Sequence, residues 1–376
     1  MKTLARILKW LIIAVVALAI AAACIWGREL STILSVRQVD AQGYLYEMDY
    51  NASYDLDDIV EADIDSNTKL LQYVIGKLSR GIYKAKSVSG GNNIDFACTS
   101  FQVRSADGDG WLFGRNYDYF KNPTLVVHSH PKDGYASLSA CDMSHFGYSL
   151  EKLPDSFTGK ALCLAGVYAP MDGINEKGLC VSIMALPKQP SQQSTGKHCV
   201  GTTIFMRLLL DRCATVEEAL ELASSVDIRH DVSANSGYHY MVADASGDCA
   251  VIEFDKEDGW KTMVVRKDPG SNYMHVTNHL LSPKYYTEEP DPAVGNPHSR
   301  SWWRYDTVRS YMDEHDGTLT SEQAQECLAL VHWDELVWDN GTVESTQFSN
   351  LYDQSALTLV MHPWEDYTSS YSFSLR

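Results

Sequence analysis

Three residue types able to do acyl chemistry lie close together in one stretch of the chain. Cys98 sits in Ala97-Cys98-Thr99-Ser100-Phe101, and Arg115 and Asp118 in Phe113-Gly114-Arg115-Asn116-Tyr117-Asp118-Tyr119. A thiolate is a strong nucleophile, a neighbouring guanidinium favours it, and a carboxylate can orient a base. Between the two segments lie Gln102-Val103-Arg104 and an Asp/Gly-rich break, Ser105 to Gly110. Apolar and polar residues alternate on either side, which reads as two strands joined by a short turn. Pairing the strands with Arg104 opposite Trp111 sets Cys98 opposite Tyr117, with Arg115 and Asp118 on either side of that position. In a regular strand Arg115 and Asp118 face opposite ways, so both reach the thiol only if the strand bends or ends there. A lone cysteine is more often structural. The hairpin, and the Gly/Asn-rich stretch Ser89 to Asn93 that feeds into it, set Cys98 apart.

The elements that must hold these residues belong to an ordinary globular chain. It has 376 residues, 45% of them hydrophobic and 21% charged, enough for a sizeable core. The formal net charge of -18 repels nucleic acid and anionic lipid, so nucleic-acid partners are not expected. The nine cysteines show no CxxC spacing and fall in apolar runs, where they read as small buried hydrophobes. Lys2, Arg6 and Lys9 precede an uncharged apolar run from Leu11 to Gly27, ending near Ala21-Ala22-Ala23-Cys24. Residues 1–27 are therefore expected to be a signal anchor or lipoprotein-type signal. That would place the protein at the cell membrane with its catalytic domain extracytoplasmic.

Residues 28–97 are expected to form a helical prosegment. Ser66 or Asn67 can cap a helix with Leu71, Val74, Ile75, Leu78 and Ile82 on one face. Residues 98–376 form the main domain. Strand-like runs are expected at 162–168 and 179–185, around a turn at 170–178. Helices follow at 202–212 and, behind the capping sequence Thr215-Val216-Glu217-Glu218, from 215. A hairpin at 238–254, strands at 260–265 and 273–277, helices near 303–312 and 321–331, a hairpin at 347–361 and a last strand at 371–375 complete the chain. Hairpins and helices without βαβ alternation predict an α+β fold, with sheets covered by helices. His128, His130, Cys141, Asp142 and His145 are metal-ligand types. No HExxH-like spacing accompanies them, so neither metal nor cofactor is expected.

The motifs together carry a resemblance. Cys98-Thr99, Gly114-Arg115-Asn116-Tyr117-Asp118-Tyr119, Asp172-Gly173-Ile174-Asn175-Glu176-Lys177-Gly178-Leu179, Val276-Thr277-Asn278 and Trp303-Arg304-Tyr305 resemble, in order, those of the choloylglycine hydrolase family. That family holds bile salt hydrolases, penicillin V acylases and related linear amide C–N hydrolases. The resemblance implies a four-layer αββα sandwich of the N-terminal nucleophile type. It also implies that cleavage of Ala97–Cys98 frees the α-amine of Cys98 as base for its own thiol. A free α-amine titrates near about 8, so it can accept that proton at physiological pH. By the same resemblance Asp118 orients the amine and Arg115 stands by the thiol. The backbone N–H of Asn175 and the side-chain amide of Asn278 donate to the oxyanion, and Arg304 completes the polar ring.

The implied reaction is hydrolysis of a small acyl amide through a thioester on Cys98. The acyl pocket would be lined by residues such as Tyr117, Tyr119, Phe120, Tyr168, Trp302 and Trp303. An acyltransferase on the same site is one alternative, and an inactive membrane-tethered binding protein another. The composition leaves a homo-oligomer open.

Overall fold

The computed structural model describes residues 10, 13, 24–81, 97–187, 189–232, 236–286, 299–337, 341 and 343–375. Its elements begin with a helix over residues 24–35, α1. There follow β1 (Arg37–Gln38), β2 (Leu45–Tyr50), α2 (Leu56–Glu61) and α3 (Asn67–Leu78). The hairpin that carries Cys98, Arg115 and Asp118 is β3 (Ala97–Ser105) and β4 (Trp111–Phe120). Next come β5 (Thr124–Ser129), β6 (Ser137–Asp142), α4 (Phe157–Lys160), β7 (Asp172–Asn175) and β8 (Cys180–Pro187). After these lie β9 (Cys199–Gly201), α5 (Thr202–Arg212), α6 (Val216–Ser225), β10 (Asp227–Arg229), β11 (Ser236–Ala243) and β12 (Cys249–Asp255). The chain ends with β13 (Lys261–Arg266), β14 (Tyr273–Val276), α7 (Ser299–Glu314), β15 (Thr318–Leu319), α8 (Ser321–Leu330), β16 (Leu336–Val337), β17 (Val343–Asp353), β18 (Thr358–Pro363) and β19 (Tyr371–Ser374).

Among the described residues the strands form two large sheets. One runs β1-β2-β5-β6-β7-β8-β11-β12-β13; the other runs β14-β3-β4-β17-β18-β19, with β15 beside β3 and β16 beside β17. Strand alternation decides what each sheet faces. On β3, Ser100 and Gln102 point between the sheets, where the Ser100 hydroxyl meets that of Ser182 on β8 at 2.8 Å. Phe101 and Val103 point the other way, into a core with Val308 and Met312 of α7 and Leu328 of α8. On β7, Asp172 points between the sheets, and the neighbouring Gly173 lies against Leu210 of α5. The layers are thus helices, sheet, sheet, helices.

The hairpin register follows the sequence expectation, with Arg104 opposite Trp111 and Cys98 opposite Tyr117. The α3 helix is capped by the Ser66 hydroxyl, which accepts from Lys69 N–H. Thr215 caps α6, but Glu218 accepts from Ala214 N–H at 2.5 Å, one residue before the expected reciprocal partner. The run 162–168, expected as a strand, lies in a 3-10 segment, Ala161–Tyr168; an apolar stretch bounded by turns is ambiguous from periodicity alone.

Two expectations for the N-terminal region are corrected. Residues 28–97, read as helical, also supply β1 and β2, and β2 pairs in parallel with β5 as part of the main sheet. The membrane placement is not upheld: among the described residues no helix is long and apolar enough to cross a membrane. Most of residues 1–27 lie outside the described residues. The part that is described continues as α1, which carries Arg28 and Glu29 and is tied to α3. Trp26 Nε1 donates to the Leu78 carbonyl at 3.1 Å, and Arg80 pairs with Glu29 at 2.7 Å.

Candidate active site

Cys98 lies one residue inside the start of β3 and is completely buried. Its side chain points between the sheets with Tyr117 and Arg115, as strand alternation requires. Arg115 is also fully buried. Its Nη1 donates to the Asn116 carbonyl at 2.6 Å, its Nη2 to the Ile183 carbonyl of β8 at 2.7 Å, and its Nε lies 3.7 Å from Asp172. Asp172 accepts in turn from Asn350 Nδ2 at 2.8 Å and from the Tyr352 hydroxyl. The guanidinium is therefore held on three sides, with its remaining influence on the thiol. Burial raises the Cys98 thiol above its ordinary value, while the charge of Arg115 acts against that rise.

Asp118 points to the opposite face of β4 and pairs with Ala97, the first residue of β3. The pairing of the two strands thus ends beside Asp118, and its charge reaches the Cys98 thiol together with that of Arg115. Thr346 Oγ1 donates to Asp118 Oδ1 at 2.6 Å, and Asp118 Oδ2 has no hydrogen-bond partner among the described residues. Burial pushes its carboxyl above the usual range, against the pull of the Arg304 charge.

Two residues distant in sequence complete the ring. Asn278, just past β14, accepts the Cys98 N–H at Oδ1 over 2.6 Å, and its Nδ2 donates to the Ala185 carbonyl of β8 at 2.8 Å. Arg304 on α7 donates Nη2 to the same Oδ1 at 2.8 Å. Its Nη1 donates to the Cys98 carbonyl and to Thr99 Oγ1 at 2.9 Å. Two donors facing one amide atom and a carbonyl facing the other set the orientation of Asn278. Its oxygen, not its amide hydrogens, faces Cys98, which differs from the oxyanion role expected of it.

Cys98, Arg115, Asp118, Asn278 and Arg304 are therefore brought together, and Asn175 is not. Its N–H, expected to meet the oxyanion, donates to the Leu179 carbonyl at 3.0 Å. Its side chain donates to Leu210 and Cys213 carbonyls at 3.0 and 2.7 Å and accepts from Lys177 and Leu179 N–H. Asn175 ties its turn to the end of α5, as Asn in turns commonly does. Of the expected pocket aromatics, Tyr117 and Tyr119 flank the site and stand 5.9 Å apart. Trp302 stacks on His279, next to Asn278, at 3.7 Å. Tyr168 packs instead against Tyr54, which follows β2. Sequence reasoning missed Thr99, Ser301 and Thr346. Asp172 lay inside a quoted motif, and a carboxylate in a half-apolar strand was a usable signal; Thr346 gave none.

Two facing sheets under outer helices, with this polar ring at a strand end, make a mixed α/β fold. The acyl-coenzyme A:6-aminopenicillanic acid acyl-transferase family matches residues 103–359, more than half of the chain, and the chain belongs to that family. The match takes in Arg115, Asp118, Asn278 and Arg304 and begins beyond Cys98. Two solved variants of conjugated bile acid hydrolase from Clostridium perfringens are similar in fold. They share 18% and 17% identity, with TM-scores of 0.50 and 0.52, over 74% of this chain and 92% of theirs. Penicillin V acylase from Agrobacterium tumefaciens matches at 16% identity and a TM-score of 0.46, over 73% of this chain and 85% of its own. The relationship drawn from the motifs is borne out.

Proposed function

We propose that this chain hydrolyses a linear carboxamide with Cys98 as nucleophile, after cleavage of Ala97–Cys98 turns Cys98 into an N-terminus. The observation that carries the reading is the grip on the backbone of Cys98 itself. Its nitrogen is held by Asn278 at 2.6 Å and its carbonyl by Arg304, more than a structural cysteine requires. In the precursor the thiol attacks the Ala97 carbonyl, the peptide nitrogen leaves as the Cys98 amine, and water hydrolyses the resulting thioester. The freed amine, beside Asp118, then takes the thiol proton. The thiolate attacks a substrate amide carbon, and the amine passes that proton to the departing nitrogen. Water releases the acid and restores the thiol. Base and nucleophile on one residue need no separate positioning.

In this reading residues 28–97 are a prosegment, and after cleavage they remain as a second chain whose β2 completes the sheet. Acyl transfer to an amine would share every step up to the thioester, and water as acceptor is the simpler case. Mass spectrometry of purified protein tests the first step: a chain beginning at Cys98 is expected, and none in Cys98→Ala. Penicillin V and a glycine-conjugated bile acid, chosen from the relatives, probe the second, with products followed with and without added amine. An intact chain that hydrolyses amides at full rate overturns the mechanism.

A further inference from the structure

Asn278 owes its place to residues of the other sheet. The stretch 277–282 leaves the end of β14 without strand structure, yet it carries the oxygen that holds Cys98. Behind it lie His239 on β11 and Glu253 on β12, both completely buried. His239 Nε2 meets the Thr277 carbonyl at 2.8 Å, and its Nδ1 meets Glu253 Oε1 at 3.2 Å. Glu253 accepts from Leu281 N–H at 2.7 Å and from Ser282 N–H at 2.9 Å. The pair thus binds the stretch at both ends, one residue before Asn278 and three after it.

We infer that His239 and Glu253 are positioning residues, a buried clamp across the two sheets that places Asn278 Oδ1 on the Cys98 nitrogen. This rests on the proposed role of Cys98. Burying an imidazole and a carboxylate together stabilises little by itself and is often worse than an apolar pair. What this pair supplies is three hydrogen bonds to a stretch that has no strand partners of its own. Both ring nitrogens face acceptors, Glu253 and the Thr277 carbonyl. Burial holds the His230 and His279 imidazoles down to about 3. Asn278 is independently tied to Ala185 and Ser301, so loss of the clamp loosens the site without dissolving it.

The test uses the full chain, with Glu253→Gln and His239→Gln alone and combined with Asn278→Ala. Hydrolysis of the probe amide is followed as kcat and KM. Glu253→Gln is expected to keep its fold by circular dichroism and lose about tenfold or more in kcat, with KM within about twofold. In the Asn278→Ala background it should cost nothing further, because its effect runs through Asn278. Glu253→Asp should recover part of the loss. Multiplying losses in the double variant, or full kcat in a folded single variant, overturns the clamp. If Glu253→Gln does not fold, His239→Gln, which leaves the Leu281 and Ser282 bonds in place, replaces it. Amide hydrogen exchange over 276–282 reads the clamp apart from catalysis: faster exchange in the variants supports it, and unchanged exchange overturns it. A wild type that hydrolyses no amide sinks the hydrolase reading while exchange still decides the clamp.

Discussion

Cys98 presents its sulfur to one face of β3 and its backbone to the strand end, and charged groups address both. Arg115 acts most on the thiol and the charges of Asp118 and Arg304 also reach it, while Arg304 holds the Cys98 carbonyl. Burial raises the Asp118 carboxyl, so the folded chain holds that proton more tightly than the unfolded chain. Stability from this group is therefore greatest below its ordinary value and is lost as pH rises through the raised one. Asp118→Asn should accordingly melt higher than wild type at pH 7.5, with a smaller advantage at pH 4.5, while losing about 100-fold or more in hydrolysis. A melting advantage that is larger at pH 4.5 contradicts this account. Arg304→Lys should fold and lose about 10- to 1000-fold in kcat, since a single ammonium cannot bridge the Cys98 carbonyl, Thr99 and Asn278 together. Steady-state kinetics beside circular dichroism decide it.

The hairpin of β3 and β4 was legible because its information is local. Alternation and a short turn give the register, and the structure repeats it pair for pair. Its glycine has a packing reason: a Cβ on Gly114 would lie 2.3 Å from Cζ of Phe101, whose ring covers it. Gly114→Ala should destabilise by about 1–3 kcal/mol, measured by denaturant unfolding. The neighbouring strand was less legible. The register of β17 against β4 shifts between Thr346 and Phe348, and that bulge sets Thr346 opposite Asp118. The Thr346 hydrogen bond lowers the Asp118 carboxyl. Thr346→Val should therefore raise it further and move the acid limb of the pH–kcat profile upward; a downward shift contradicts the assignment. The 3-10 run Ala161–Tyr168 was not legible because short apolar runs fit several structures equally well. The expectation for Asn175 came from motif order, which does not specify that its N–H turns to the Leu179 carbonyl.

At the scale of the molecule, the N-terminal region is part of the fold. Beyond β2, its Tyr54 hydroxyl donates to Asp211 Oδ2 at 2.6 Å, within a buried pair in which Arg207 Nε donates to Asp211 Oδ1 at 2.8 Å. Tyr54→Phe should leave Asp211 short of a donor and cost about 1–3 kcal/mol, read as a lowered denaturant midpoint. The sequence alone determined the thiol-bearing hairpin, the acidic globular character and the family resemblance, since each depends on composition, near-neighbour periodicity or motif order. It did not determine which residues meet Cys98. Asn278, Arg304 and the Thr346 that supports Asp118 are separated from their partners by 180, 206 and 228 residues. Such contacts arise only when two sheets pack face to face and a helix closes over one of them. The same packing directed Asn175 away from the site, turned the Asn278 oxygen toward Cys98, and drew β2 of the N-terminal region into the main sheet.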